Sequence, residues 1–345
     1  MNTVLSFLTQ NWQRLGLAMQ SEAKGLTCVT ATPRFRASSH VIFFILGQGQ
    51  KKPFLVVKTP RLYGDHLRLD REAANLKAVH AARVGGFDSI PRLLAYEDYC
   101  GHRLLVETAV AGEMMSYKLR HSPSLPYVQM ATQWLIELHQ ATSQPHSQQV
   151  QGIGNLLENA LQRFTETTML TQTEVNLVAR TREIVGVVQT YNLPTVFEHG
   201  DLGPLNVMFS EDEKIGVVDW ELAEPNGLPT ADLFFLLALA SPAWRKAKQN
   251  SDYVAAFHQT FFGKCAWANV YVHQYAEQMK LPTKLLAPLF VLSWARYLMN
   301  LVERLSDTDS GQQQVSTQTM EWLRANRYYT LWRHAVEQYA ELSYS

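Results

Sequence analysis

Two aspartates and an asparagine define the chemistry this chain can perform. Asp201 lies in the stretch Val196-Phe197-Glu198-His199-Gly200-Asp201-Leu202-Gly203-Pro204-Leu205-Asn206-Val207. Asp219 follows 18 residues later, in Ile215-Gly216-Val217-Val218-Asp219-Trp220-Glu221. Moving a phosphoryl group onto an alcohol requires a carboxylate that orients the attacking hydroxyl and accepts its proton. It also requires oxygen ligands that hold magnesium against the β- and γ-phosphates, and a cation that steadies the α- and β-phosphates. Asp201 suits the first task. Asn206, near the start of a strand, offers an amide oxygen, and Asp219, at the end of the next strand, offers a carboxylate. A hairpin between them brings both to one edge, and hard oxygen donors suit magnesium. Taken singly, either aspartate reads equally well as an ordinary loop or strand-end residue. Only the set in this order carries the chemistry.

The elements that must hold these residues are legible from periodicity and turn residues. Residues 2–20 read as an amphipathic helix with Val4, Leu5, Phe7, Leu8, Trp12 and Leu15 on one side. Strands are expected at about 26–31, 40–46 and 54–58, separated by Pro33 and by Gly47-Gln48-Gly49. A helix over 67–83 and strands near 92–96 and 103–107 complete a small sheet with one long helix. After Gly112 the character changes. Helices are expected over 127–142, 155–165 and 173–190, then a short strand pair at 206–209 and 214–218, then mostly helix from Asp232 to the end. The polar stretches 142–151 and 306–319 read as loops. Domain boundaries follow: 1–108 as a β-rich nucleotide-binding lobe and 109–345 as a helical lobe carrying the catalytic loop, metal site and substrate region. The recurring aromatics from Trp244 to Trp332 read mainly as core.

His199-Gly200-Asp201 with Asn206 resembles the HGDxxxxN catalytic loop of the aminoglycoside phosphotransferase and choline-kinase-like family. Val218-Asp219-Trp220-Glu221 resembles that family's metal-binding (I/V)DWE segment. The resemblance implies a two-lobed, protein-kinase-like α+β fold and transfer of the ATP γ-phosphoryl group to a small-molecule hydroxyl. It makes Asp201 the catalytic base, with Asn206 and Asp219 as ligands of Mg2+. Upstream, Phe54-Leu55-Val56-Val57-Lys58 is similar to the strand bearing the nucleotide-binding lysine, and Arg71-Glu72-Ala73-Ala74-Asn75-Leu76 to the helix whose glutamate pairs with it. Leu104-Leu105-Val106-Glu107-Thr108-Ala109 resembles the hinge that takes the adenine edge through backbone groups, which puts adenine contacts at Glu107 and Ala109. The phosphate-covering loop falls near 32–40 and lacks glycine; there Ser38 and Ser39 stand as hydrogen-bond donors, with Arg34 or Arg36 adding charge. Trp134-Leu135-Ile136-Glu137-Leu138-His139 matches the family's LxxLH helix and reads as structural, as does His199. Asp232 reads either as a helix cap or, by resemblance, as a brace for the catalytic loop. Glu221 stands between a metal contact and a backbone contact. The resemblance runs from about residue 25 to 240.

Composition limits the alternatives. With 46% apolar and 18% charged residues, the chain is an ordinary globular one rather than disordered or fibrous. Its three cysteines, Cys28, Cys100 and Cys265, form no CxxC, so neither a disulfide framework nor a cysteine zinc site is expected. The longest uninterrupted apolar runs, 41–47 and 233–240, are too short to cross a bilayer, and no signal-like start is seen, so a cytoplasmic, non-membrane protein is expected. Net charge is zero, yet residues 1–110 carry +6 and residues 111–345 carry −6. The acidic half leans toward a cationic amino-sugar or amino-alcohol acceptor, with a neutral sugar, a nucleoside-like compound or a macrolide left open. No basic–aromatic motif of a nucleic-acid binder is present. The distance from Asp219 to Asp232 leaves no room for the long peptide-docking segment of protein kinases. The alternative function is a pseudokinase, binding nucleotide or ligand without turnover.

Overall fold

The structure is a computed structural model and describes residues 3–17, 25–32, 40–121, 124–144, 153–306, 317–342 and 344. The loop that includes Ser38 and Ser39 lies outside the described residues. In chain order the elements begin with α1 (Thr3–Asn11), β1 (Thr27–Ala31), β2 (His40–Leu46), β3 (Leu55–Pro60), α2 (Leu67–Ala81), β4 (Leu93–Tyr99) and β5 (His102–Thr108). Next come β6 (Glu113–Met114), α3 (Met115–His121), α4 (Ser124–Thr142), α5 (Ile153–Thr167), α6 (Gln172–Val185), β7 (Val196–Glu198), β8 (Val207–Phe209), β9 (Ile215–Val217) and β10 (Glu224–Gly227). The remainder is helical: α7 (Ala231–Ala240), α8 (Pro242–Lys246), α9 (Asn250–Phe261), α10 (Asn269–Gln278), α11 (Leu286–Ser306), α12 (Thr317–Ala325) and α13 (Arg327–Glu337).

The chain divides into two compact units, 1–117 with 205–223, and 118–204 with 224–345. The sequence reading draws a single break after residue 108. Here the hairpin β8–β9 groups instead with the β-rich unit, and the reason is hydrogen bonding. Strand β6 pairs with β8, and the Val217 N–H donates to the Ser89 carbonyl at 2.8 Å. The Asn75 amide on α2 donates to the Trp220 and Ala223 carbonyls, each at 2.9 Å. Gly112 permits the approach to β8: its φ is +138°, and a Cβ there would sit 2.6 Å from the Phe209 carbonyl.

In the first unit, five antiparallel strands run in the order β1-β2-β3-β5-β4. Side chains alternate across this sheet. Leu55 and Val57 on β3, with Leu104 and Val106 on β5, join Phe7, Leu8, Trp12 and Leu15 from α1 and the turn after it in one apolar cluster. Leu105 joins Leu69 and Ala73 of α2 in another. Lys58 and Glu107 stand one residue out of phase with the first set, so they share the α2 side. The amphipathic N-terminal segment and the long helix thus cover opposite faces. Helix α1 is shorter than the periodicity suggests because the chain turns after Asn11, and the apolar pattern continues through that turn to Leu17.

In the second unit, β7 pairs with β10, and the helices α4 to α7 and α9 to α13 build the core. Its centre is α11, where Leu289, Phe290, Val291, Leu292, Trp294, Ala295 and Leu298 are buried. The stretch Thr283–Val302 is long and apolar enough to cross a membrane, but 83% of its apolar window is buried inside the protein, as in a core helix.

Candidate active site

In the first unit, Lys58 projects from β3 toward Glu72 on α2 and Glu107 on β5. Its ammonium is hydrogen-bonded to Glu72 and lies 3.3 Å from Glu107. The three side chains are only 6%, 0% and 4% exposed. The register explains the grouping. Lys58 is opposite Leu105, so Glu107 is its diagonal neighbour on the same face. Glu72 shares a helix face with Leu69, Ala73 and Leu76, which anchor α2. Burial alone would pull the Lys58 ammonium down, but the carboxylates of Glu107 and Glu72 outweigh it and hold the lysine above its ordinary value. Burial, with Glu107 adding to it, pushes the Glu72 carboxyl up, and the charge and hydrogen bond of Lys58 pull it back.

The hairpin supplies the oxygen donors. Val207 pairs with Val217, and the Val218 N–H donates to the Asn206 carbonyl at 3.0 Å, so Asn206 and Asp219 emerge at the same end of the ladder. Asp219 adopts φ +71°, a left-handed conformation that is uncommon outside glycine and that clusters at functional sites. The turn that enforces it is clamped. Asn75 holds the carbonyls of Trp220 and Ala223, and the Trp220 indole donates to the Val217 carbonyl at 3.0 Å. Asp219 Oδ1 is buried and accepts no hydrogen bond, and the same holds for one oxygen each of Glu72 and Glu107. Buried oxygens are normally satisfied. The donor set of Asn206 and Asp219 therefore fits a hard divalent cation. Among the described residues no group of three or more His, Cys, Asp or Glu forms a metal cage.

Two residues beside this group escaped sequence reasoning. His40 opens β2 on the same side as Lys58, with Nδ1 3.6 Å from Glu221. Burial, with Lys58 adding to it, lowers its pKa to about 4, so it is neutral at pH 7. Arg68 at the start of α2 reaches Glu221 at 3.1 Å, which ties Glu221 to a guanidinium. Glu107 holds Lys58 with its side chain while its backbone lies inside the sheet, paired with both β3 and β4. Only the periodicity of β5 could have revealed that facing. The Ala109 N–H is donated to the Phe54 carbonyl at 3.0 Å, so an adenine contact at Ala109 would have to use its carbonyl.

In the second unit, the His199-Gly200-Asp201 loop leaves β7 and is fixed by Asp232 of α7. The N–H groups of His199 and Gly200 donate to the two Asp232 oxygens at 2.6 and 3.0 Å. Burial pushes the Asp232 carboxyl up, but the nearby imidazoles of His139 and His199 and the His199 N–H outweigh it and hold it low. His139, the last residue of the LxxLH motif, lies 3.8 Å from Asp232 through Nε2, and its Nδ1 meets the Tyr275 hydroxyl at 2.6 Å. Asp232 is thus a brace of the loop, and the helix cap falls at Thr230. The Asp201 N–H donates to His199 Nδ1 at 3.3 Å, and the Gly203 N–H to the Asp201 carbonyl at 2.7 Å. Glu198, just before the loop, is buried against Arg296 and also accepts the Leu228 N–H at 2.8 Å. Arg296 reaches Glu224 at 2.6 Å, and both line a polar cavity of about 490 Å³ with Leu156, Asn159, Gln162, Glu166 and Asn300.

The profile of the phosphotransferase enzyme family, APH, matches residues 34–268. No curated protein sequence matches the chain. Among solved structures, choline kinase LicA from Streptococcus pneumoniae is similar over 97% of this chain and 99% of its own, at 10% identity and a TM-score of 0.54. LicA in complex with AMP gives 97% and 98% coverage, 10% identity and a TM-score of 0.53. An ethanolamine kinase from Plasmodium vivax is similar over 96% of this chain and 86% of its own, at 10% identity and a TM-score of 0.52. At these identities the likeness speaks to the fold. The profile spans well over half of the chain and includes both the HGD loop and the DWE strand, so the chain belongs to the phosphotransferase enzyme family and is a small-molecule kinase acting on a hydroxyl acceptor.

Proposed function

We propose that the phosphoryl donor is ATP, used as its magnesium complex, and that Asp201 is the catalytic base. The observation that carries this reading is Asp219, held in a left-handed turn with a buried oxygen that accepts no hydrogen bond, at the same hairpin end as Asn206. Asn206 and Asp219 would hold the metal. Bound there, magnesium would offset the negative charge of the phosphates. Lys58, kept charged by Glu72 and Glu107, steadies the α- and β-phosphates. Ser38 and Ser39 remain candidate phosphate donors, and the hinge near Glu107 and Ala109 the adenine contact. LicA, which shares the fold, has been seen with AMP.

Asp201 accepts the proton of the acceptor hydroxyl as the acceptor oxygen bonds to the γ-phosphorus and the bond to the β-phosphate oxygen breaks, which leaves ADP. Asp232 positions this loop through the His199 and Gly200 N–H groups. A cytoplasmic setting, where ATP is at hand, completes this reading. The test is ADP release from magnesium–ATP across a panel of alcohols. Replacing Asp201 with Asn should cut turnover by about 10²–10⁴-fold and leave nucleotide binding in place. Unchanged turnover in that variant would remove Asp201 from the role.

A further inference from the structure

Three arginines of the second unit sit close in sequence on α11, α12 and α13, and the fold treats them differently. Arg296 is held by Glu198 and Glu224. Arg324 is held by Glu174 at 2.9 Å. Arg327 is half-buried and has no carboxylate partner among the described residues; aromatic rings surround it instead. Its guanidinium carbon lies 5.6 Å from the ring centre of Trp244, 4.9 Å from Tyr253 and 5.0 Å from Tyr328, all within cation–π range. Trp244 and Tyr253 are themselves in contact, with centroids 4.7 Å apart. With rings rather than carboxylates around it, the guanidinium has N–H groups beyond those given to the Tyr328 and Tyr253 hydroxyls that can meet a planar oxyanion.

The box is connected to the catalytic loop through an unbroken aromatic wall. A Cβ on Gly203 would meet the Phe235 ring at 3.5 Å. Phe235 stacks on Tyr297 at 4.6 Å, and Tyr297 packs on Tyr328 at 4.8 Å. The Arg327 guanidinium donates to the Tyr328 hydroxyl at 3.4 Å. Burial raises the Tyr328 phenol; Arg327 opposes that and the Asp201 carboxylate adds to it, so Tyr328 feels both charges. Beside Trp244, Arg245 is bonded to the Leu119 carbonyl and also lacks a carboxylate partner among the described residues. Burial lowers its pKa and repulsion from Arg120 lowers it further. Positive charge therefore gathers on this wall, where neither Arg327 nor Arg245 has a carboxylate partner among the described residues.

We propose that Arg327, seated on the Trp244–Tyr253–Tyr328 box, receives an oxyanion of the acceptor, a carboxylate or a phosphate, and so selects an acidic hydroxyl compound. This rests on the reading of Asp201 as the base. It reverses the lean toward a cationic acceptor that the −6 of residues 111–345 suggests, because that count spreads over surface and metal-site carboxylates and carries no position.

The test is a thermal-shift titration of the full chain with saturating magnesium–ATP, so that the nucleotide phosphate site is filled. The probes are inorganic phosphate, malonate and ethanolamine, on wild type, Arg327→Gln and Arg327→Lys. Saturable stabilisation by phosphate or malonate, and none by ethanolamine, is expected in the wild type. The stronger of the two anions tells a phosphorylated acceptor from a carboxylic one. In Arg327→Gln the anion affinity should fall by about tenfold or more. Arg327→Lys keeps the charge without the planar fork and should weaken it severalfold. Equal anion affinity in the wild type and the Gln variant overturns the proposal, as does stabilisation by ethanolamine alone. If the Gln variant does not fold, unchanged affinity in the Lys variant overturns it. A wild type that responds to magnesium–ATP and to neither anion also overturns it, whereas a wild type that ignores magnesium–ATP contradicts the nucleotide reading instead.

Discussion

Each unit buries one cation between two carboxylates, and the two arrangements differ in what they leave over. In the second unit, Arg296 fills both carboxylates it touches. Glu198 accepts from Arg296 and from the Leu228 N–H, and Glu224 takes the other guanidinium nitrogen. In the first unit, Lys58 offers a compact charge to Glu72 and Glu107, and each of those carboxylates keeps one buried oxygen without a hydrogen-bond partner. A satisfied triad ties β7, β10 and α11 together. An unsatisfied one, beside Asp219 with its own bare oxygen, is built to meet something else. The residue types agree: the planar fork of arginine suits a permanent bidentate pair, and a lysine point charge is easily shared with phosphate.

That contrast can be broken by exchange of roles. The largest expected effect is Lys58→Met, which should lower kcat/KM by about 10²–10³-fold, since it removes a fixed charge from the transferring phosphates. Steady-state ADP release measures it, and a loss below tenfold would place Lys58 with the structural triad. Arg296→Met should act on stability instead, by about 3–5 kcal/mol in urea unfolding, because Glu198 is left buried and uncompensated. A small change there would mean that Glu198 is readily protonated in the fold.

A further ion pair sharpens the comparison through pH. Burial pushes the Glu174 carboxyl up, but hydrogen bonds from Arg324 and from Thr171 outweigh it and hold it down at about 2. A carboxyl whose folded value is depressed stabilises above its unfolded pKa and loses that stabilisation as pH falls through the folded value. The contribution, of order 2 kcal/mol, should therefore be complete above about pH 5 and fade toward pH 2. Arg324→Gln should flatten that part of the stability–pH curve, and an unchanged curve would deny the pair its role. The smallest effect is Asn75→Ala, which should cost about 1 kcal/mol of stability. It frees the turn after Asp219, so its effect on the KM for magnesium–ATP should exceed that of an equally destabilising substitution elsewhere.

Much of this was legible in the chain. The strands at 27–31, 40–46 and 102–108 and the helix at 67–81 follow from alternation, helical spacing and turn residues. The HGD and DWE stretches are local motifs, so their residues could be named from sequence. Facts of facing and tertiary contact were not legible. Glu107 looks like a hinge residue until β5 is registered against β3, when its carboxylate meets Lys58. His40 looks like a strand-edge histidine until α2 and the DWE turn enclose it. The grouping of 205–223 with the β-rich unit depends on Asn75 and Ser89, which have no sequence signature. Arg327 was passed over among the core aromatics because Trp244 and Tyr253, which seat it, lie far away in sequence.

The central claim is that the Asp219 turn is a metal-dependent nucleotide site. It is tested most directly by a thermal-shift titration with ATP, with and without magnesium, on wild type and Asp219→Ala. Ligand at about 100 times its dissociation constant should stabilise the wild type by roughly 2.7 kcal/mol. The account predicts a shift that requires magnesium and disappears in Asp219→Ala. An equal shift without magnesium, or one that survives in the variant, would contradict it.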